Sequence, residues 1–227
     1  MPILSKGGTY NLAHSELIFM QIESGGDRNF AYLVADRKTK EALLIDPSPD
    51  TVAASKTIED YSLELKYLIN THSHFDHSSG NNRFKKSKTG NKVQFINCSR
   101  ENEIKIESII RLGNMEIKLI PTPGHTPDSI CIKAENKLIT GDTLFVGKIG
   151  GTYSREEARN EFESLKKIMM LPQDTEIWPG HNYGVKPSST IKDEINNNPF
   201  IKRLNSFSDF IWLKENWISY KKEHGIV

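Results

Sequence analysis

At 227 residues the chain is long enough for one large domain, or for one domain with a small appendage. Its 30 basic and 29 acidic residues nearly cancel, which excludes nucleic-acid binding through a global positive field. No apolar run approaches membrane-spanning length, the first (residues 17–20) is too short for a signal h-region, and only Cys98 and Cys131 are present. A disulfide framework is therefore not expected, both cysteines read as small buried hydrophobes, and a reduced cytoplasmic setting fits.

In chain order, residues 17–22 and 30–34 read as strands of a hairpin joined by the turn-rich Ser24-Gly25-Gly26-Asp27-Arg28-Asn29. Residues 42–45 form a short strand ending in Asp46-Pro47, and residues 52–61 a helix. The strand at 65–69 delivers the stretch His72-Ser73-His74-Phe75-Asp76-His77, four metal-ligand side chains within six positions. A helix is expected to leave that stretch with Ser78 or Ser79 as N-cap. It continues as a polar helix over 81–88, before a strand at 93–97. Residues 98–111 read as edge strand and loop, and 115–120 as a strand broken by Pro121 and Pro123. Residues 130–133 and 137–139 read as a hairpin through Glu135-Asn136. A loop over 147–152 follows, then a helix over 156–170 whose buried face is Ala158, Phe162, Leu165 and Met169. Residues 176–178 are the last predicted strand. Phe210, Leu213, Trp217 and Tyr220 form a helical stripe that packs on its own domain or, on a sharper reading, makes a dimer contact or a wall of the substrate mouth.

Strands open each half and helices follow without a single βαβ rhythm. The expected fold is α/β: an αββα four-layer sandwich over residues 1–198, with a short helical extension over 199–227 packed on the same domain.

The strand-end position of His72–His77 suits a ligand site, because α/β sheets bind at the carboxyl ends of their strands. Four side chains so close cannot all face one point. His72 and His74 aim at one metal, and Asp76 and His77 at a second. Three further candidates follow strands and are each preceded by glycine: His125 in Pro123-Gly124-His125, Asp142 in Gly141-Asp142-Thr143, and His181 in Pro179-Gly180-His181. Coordination arithmetic then assigns His72, His74 and His125 to one ion, a set that leaves an open position for water. Asp76, His77 and His181 take the other, and Asp142 bridges. Two divalent ions so held, zinc first and iron or manganese as substitutes, support attack of hydroxide on a carbonyl or phosphoryl centre. Of the seven histidines, His14 and His224 are left over as ordinary surface residues.

These residues resemble the metallo-β-lactamase superfamily. Thr71-His72-Ser73-His74-Phe75-Asp76-His77 is similar to its HxHxDH signature, and Pro123-Gly124-His125-Thr126 to its third-histidine loop. Gly141-Asp142-Thr143-Leu144-Phe145 and Gly180-His181-Asn182-Tyr183 are similar to later elements of that family. Within it the chain looks most like the glyoxalase II-like thioester hydrolases and the related persulfide dioxygenases. By that resemblance Tyr183 holds the thiol carrier. The glutathione-using relatives carry a Gly-Cys-Gly-Arg segment where this chain has Val146-Gly147-Lys148-Ile149-Gly150-Gly151-Thr152, so Lys148 is the candidate substitute for that charge. The stretch after Pro199 is also shorter than the helical domain that completes the glutathione site in glyoxalase II.

The resemblance implies a dinuclear hydrolase of a small acyl thioester, with Asp76 as both metal ligand and proton acceptor. The alternative it implies is a mononuclear non-haem iron persulfide dioxygenase using His74, His125 and Asp142. A non-catalytic metal-binding protein is the reading from another class. A nuclease is disfavoured, since no inserted cap and no basic, aromatic-rich stretch is present. The expected partner is a small-molecule thioester, with no nucleic acid, no membrane and a homodimer left open.

Overall fold

The computed structural model describes residues 9–10, 16–86, 90, 92–96 and 107–226. Among the described residues two six-stranded sheets carry the architecture. The first runs β1 (Thr9–Tyr10), β2 (Leu17–Glu23), β3 (Phe30–Asp36), β4 (Glu41–Ile45), β5 (Glu64–Ile69) and β6 (Gln94–Ile96), in that spatial order. Helix α1 (Val52–Asp60) crosses between β4 and β5, which are parallel, and the single turn α2 (Phe75–Ser78) follows β5.

The second sheet contains β7 (Ser108–Leu112), β8 (Met115–Pro121), β9 (Ile130–Ala134) and β10 (Lys137–Gly141). A small ribbon of β11 (Leu144–Phe145) and β12 (Lys148–Ile149) and the helix α3 (Arg155–Met169) intervene before β13 (Glu176–Pro179) and β14 (Ser189–Thr190) complete the sheet. Its spatial order is β14-β13-β10-β9-β8-β7. Helices α4 (Ile191–Asn197), α5 (Phe207–Glu215) and α6 (Trp217–His224) close the chain.

Alternation within the strands produces the layers. On β3, Phe30, Tyr32 and Val34 point between the sheets while Ala31, Leu33 and Ala35 point outward to the α1 side. On the facing sheet Ile117, Leu119, Ile130, Ile132 and Trp178 fill the same inner layer. Leu138, Cys131 and Ile177 face outward onto Phe162, Leu165 and Ile168 of α3 and onto Phe210 and Leu213 of α5. Three apolar layers thus separate four structural ones, the αββα sandwich. Each wholly buried Leu, Ile or Phe contributes roughly 1.5–3 kcal/mol.

Several local expectations are corrected. The helix in the histidine stretch begins after His74, not at Ser78 or Ser79: His77 N and Ser78 N both donate to His74 O at 3.1 Å. Ser78 closes that turn, and Asp76 and His77 ride on it. The polar helix over 81–88 is a short 3₁₀ turn, Asn81–Phe84, and residues 87–89 lie outside those described. The 147–152 loop holds strand β12, and β8 runs on through Pro121. β13 is followed by β14, and α4 was not expected. The C-terminal stripe is two helices, because Asn216 leaves the helical conformation and its Nδ2 donates to Trp212 O at 2.8 Å. Cys131 is wholly buried and His224 exposed, whereas Cys98 and His14 lie outside the described residues. No helix among the described residues is long and apolar enough to cross a membrane.

Phe210 is wholly buried against Phe162, Phe200 and Phe207. Phe210→Ala is expected to lower the stability of the chain by about 3–5 kcal/mol within one denaturant transition. A separate early transition of the C-terminal helices would show instead that they do not share the sandwich core.

Candidate metal centre

The site collects at the carboxyl ends of β5, β8, β10 and β13. Three groups of ligand atoms converge, His72–His74–His125, Asp76–His77–His181 and His72–His77–Asp142, each with its atoms within 4.8 Å of one another. His74 Nδ1 lies 3.0 Å from His72 Nε2 and 3.1 Å from His125 Nε2. His77 Nε2 and His181 Nε2 are 3.2 Å apart, and Asp76 Oδ2 is 3.6 and 3.5 Å from them. Asp142 sits between the groups: Oδ1 is 3.4 Å from His77 Nε2, and Oδ2 is 3.6 Å from His125 Nε2 and 3.4 Å from His181 Nε2. Every expected ligand therefore lies in one cluster.

The hydrogen bonds behind the rings say which atoms point inward. His181 Nδ1 donates to Asp27 O at 2.9 Å, and His125 Nδ1 to Gly151 O at 2.8 Å. His77 Nδ1 donates to Asp46 Oδ2 at 3.0 Å. His72 Nδ1 donates to Thr71 Oγ1 at 3.1 Å, whose own hydroxyl donates to Asp46 Oδ2 at 2.6 Å. With Nδ1 protonated on these four rings, each Nε2 lone pair is aimed into the cluster, the arrangement that metal-ligating histidines adopt.

Such an arrangement fits a cation. Lone pairs facing one another at 3.0–3.2 Å repel with nothing between them, and tetrahedral zinc with bonds of roughly 2.0–2.1 Å separates its ligands by about 3.3 Å. Asp142 Oδ1 is buried with no hydrogen-bond donor. Burial pushes the pKa of His77 down, yet the carboxylates of Asp46, Asp142 and Asp76 outweigh it and raise it to about 9. The cluster draws positive charge into a place from which burial would exclude it. His72 is held well below the usual range, and His125 below it, chiefly by burial, which keeps both rings neutral as ligands must be.

Close packing fixes the geometry. A methyl group at Gly180 would lie 2.5 Å from Asp142 Oδ1 and 3.0 Å from His77 Cε1, so no larger residue can precede His181.

Several contributors were not singled out from the sequence. Asp46 closes β4 with φ of 48°, an uncommon conformation for a residue with a side chain. It is held there by Thr71 N (2.8 Å), the Thr71 hydroxyl and His77. Asn29 is buried and its Nδ2 donates to Asp76 Oδ2 at 3.0 Å. The hairpin loop read as a plain turn thus supplies Asp27 O and Asn29. An Asp-Pro pair at a strand end was the available signal for Asp46; backbone carbonyls leave none.

The two substrate-side candidates meet beside this cluster. The Tyr183 ring stacks on His181 at 4.6 Å between centroids, and its hydroxyl donates to Asp27 Oδ2 at 2.7 Å. Lys148 Nζ donates to Tyr183 O at 2.8 Å.

The family model described as Metallo-beta-lactamase superfamily matches residues 24–93 and 99–181. A hydroxyacylglutathione hydrolase of Pelagibacter ubique is 37% identical over 166 residues, covering 68% of this chain and 67% of that protein. The human mitochondrial persulfide dioxygenase ETHE1 is 32% identical over 178 residues, covering 75% of this chain and 70% of the other. The crystal structure of ETHE1 from Myxococcus xanthus superposes with a TM-score of 0.75 at 29% identity, covering 88% of this chain and 91% of that one. The chain spans about two thirds of the length of the Pelagibacter relative.

Asp46→Asn leaves one acceptor where the carboxylate offers two oxygens to Thr71 and His77. Metal affinity, measured by titration against a competing chelator, is expected to fall about 10–100-fold. Unchanged affinity would mean that Asp46 does not orient these rings.

Proposed function

The chain belongs to the metallo-β-lactamase superfamily, and on that premise we propose that it is a dinuclear metal-dependent hydrolase that cleaves a small acyl thioester. The observation that carries this reading is the position of Asp142, whose two oxygens face both nitrogen-rich groups at 3.4–3.6 Å. His72, His74 and His125 would hold one ion, Asp76, His77 and His181 the second, with Asp142 between them and zinc as the expected metal. When bound, such a pair supplies water that is acidic near neutral pH and a Lewis acid for the substrate carbonyl.

The chain's own residues do the rest. Asp76 is the ligand carboxylate most open to solvent, with a side chain 45% exposed against 10% for Asp142. Asn29 Nδ2 fixes its Oδ2 on the side of His77 and His181, which would leave the other carboxylate oxygen to accept the proton released by attacking water. The leaving thiolate needs little acid assistance, because thiols are already fairly acidic. Tyr183 and Lys148 would bind the thiol carrier at the mouth. Residues 1–198 form the catalytic domain in this reading and 199–227 its helical extension, working in the cytoplasm.

A second reading has a specific observation in its favour. His74 Nδ1, His125 Nε2 and Asp142 Oδ2 form a chain of contacts of 3.1 and 3.6 Å, a two-His-one-carboxylate set suited to one non-haem iron and persulfide oxidation.

Protein purified without added metal is expected to carry two divalent ions per chain and to hydrolyse a glutathione thioester. Chelation should abolish turnover and metal return should restore it. Asp142→Ala is expected to lower kcat by more than the roughly 10–100-fold that loss of an outer hydrogen-bond partner causes. One iron per chain with oxygen uptake on glutathione persulfide would establish the dioxygenase, and metal uptake without turnover on either substrate a binding protein.

A further inference from the structure

One buried lysine links the C-terminal helices to the histidine cluster. Lys214 of α5 turns inward until its side chain is 11% exposed, and its ammonium meets the wholly buried carboxylate of Glu161 on α3. The same ammonium donates to Gly150 O at 3.0 Å. The next carbonyl along the chain, Gly151 O, is the acceptor for His125 Nδ1.

Glu161 also bears on His125 from the other side. A methyl group at Gly124 would fall 2.4 Å from Glu161 Cβ and 2.5 Å from its Cα, so the segment entering His125 lies directly on α3 at that residue. One turn further, Ser164 Oγ donates to Pro123 O at 2.8 Å. A methyl at Gly150 would strike the backbone Asp142 O at 2.0 Å and lie 3.1 Å from His125 Nδ1, so the loop tied to Lys214 packs on the Asp142 main chain, not on its carboxylate, and runs beside the His125 ring. His72 and His77 take their outer hydrogen bonds from the Asp46 group, and His181 takes its own from Asp27. None of these runs through α5.

A buried ion pair is weak evidence of a stabilising role, since well-packed apolar residues often serve as well or better in its place. Here burial pushes the Glu161 carboxyl up to about 7 even with Lys214 beside it, and its Oε1 has no hydrogen-bond partner. The pair is an inefficient way to join two helices and a direct way to hold a backbone carbonyl.

We propose that Lys214, paired with Glu161, is a positioning residue for the metal centre. It fixes the Gly150–Gly151 backbone so that Gly151 O orients the His125 ring, and thereby sets the strength of the three-histidine site but not that of Asp76–His77–His181. The proposal rests on the two-ion reading above. It makes the C-terminal extension part of the metal site rather than only a cover for the second sheet.

The test is titration of metal-free full-length protein with cobalt(II), followed by visible absorption and calorimetry. Lys214→Met combined with Glu161→Met removes the pair without stranding a buried charge. This variant is expected to keep its circular dichroism and to weaken one of the two ions about 10–100-fold while leaving the other unchanged. His125→Ala should weaken the same ion, and adding the paired substitutions to it should weaken that ion no further. Lys214→Arg should bind like the unaltered protein and Lys214→Gln should not, a contrast that carries the test if the double variant does not fold. Both ions binding as before, or both weakening together with a lower melting temperature, would overturn the proposal. A single ion in the unaltered protein would instead overturn the two-ion reading, with the Lys214–His125 coupling still read from that ion's affinity.

Discussion

Five imidazoles and two carboxylates point their lone pairs at one small region, and the architecture around them follows from holding that mutually repulsive group in place. Water screens little of it on one side, since His72, His77 and His181 are almost wholly buried, while Asp76 stays open to solvent. The repulsion is met in two ways. Rigid strand ends deliver the side chains, β5 for His72, β8 for His125, β10 for Asp142 and β13 for His181. A ring of outer acceptors then fixes four of the five imidazoles, and that ring includes backbone carbonyls, which cannot rotate away as side chains can.

Asp46 shows how few groups this requires. One carboxylate accepts from Thr71 N, from the Thr71 hydroxyl and from His77, and through Thr71 it reaches His72. It therefore orients one histidine from each proposed ion site. Its left-handed backbone is stable because these bonds over-determine it.

Much of this was legible in the sequence, for physical reasons that differ by element. The strands of the sandwich were readable because a strand covered on both faces reads as a near-continuous apolar run between turn residues, as on β3. The candidate ligands were readable because imidazole and carboxylate side chains after strand ends have a narrow range of uses. Asp46 was harder, since Asp-Pro is ordinary turn chemistry until Thr71 and His77 are seen to converge on it. Asp27 O and Gly151 O were unreadable, because a carbonyl carries no residue identity. The start of α2 at His74 was misplaced because a backbone turn closed by Ser78 resembles, in one dimension, a helix opened by it. The break at Asn216 was missed because the apolar stripe continues across it at helical spacing.

In the proposed dinuclear site the two ligand groups hold two ions with Asp142 shared between them. Anomalous diffraction from crystals of zinc-loaded protein tests it most directly. Two peaks are expected, one against His72, His74 and His125 and the other against Asp76, His77 and His181, both in contact with Asp142. A single peak at full occupancy, or two peaks with Asp142 touching only one, would contradict it.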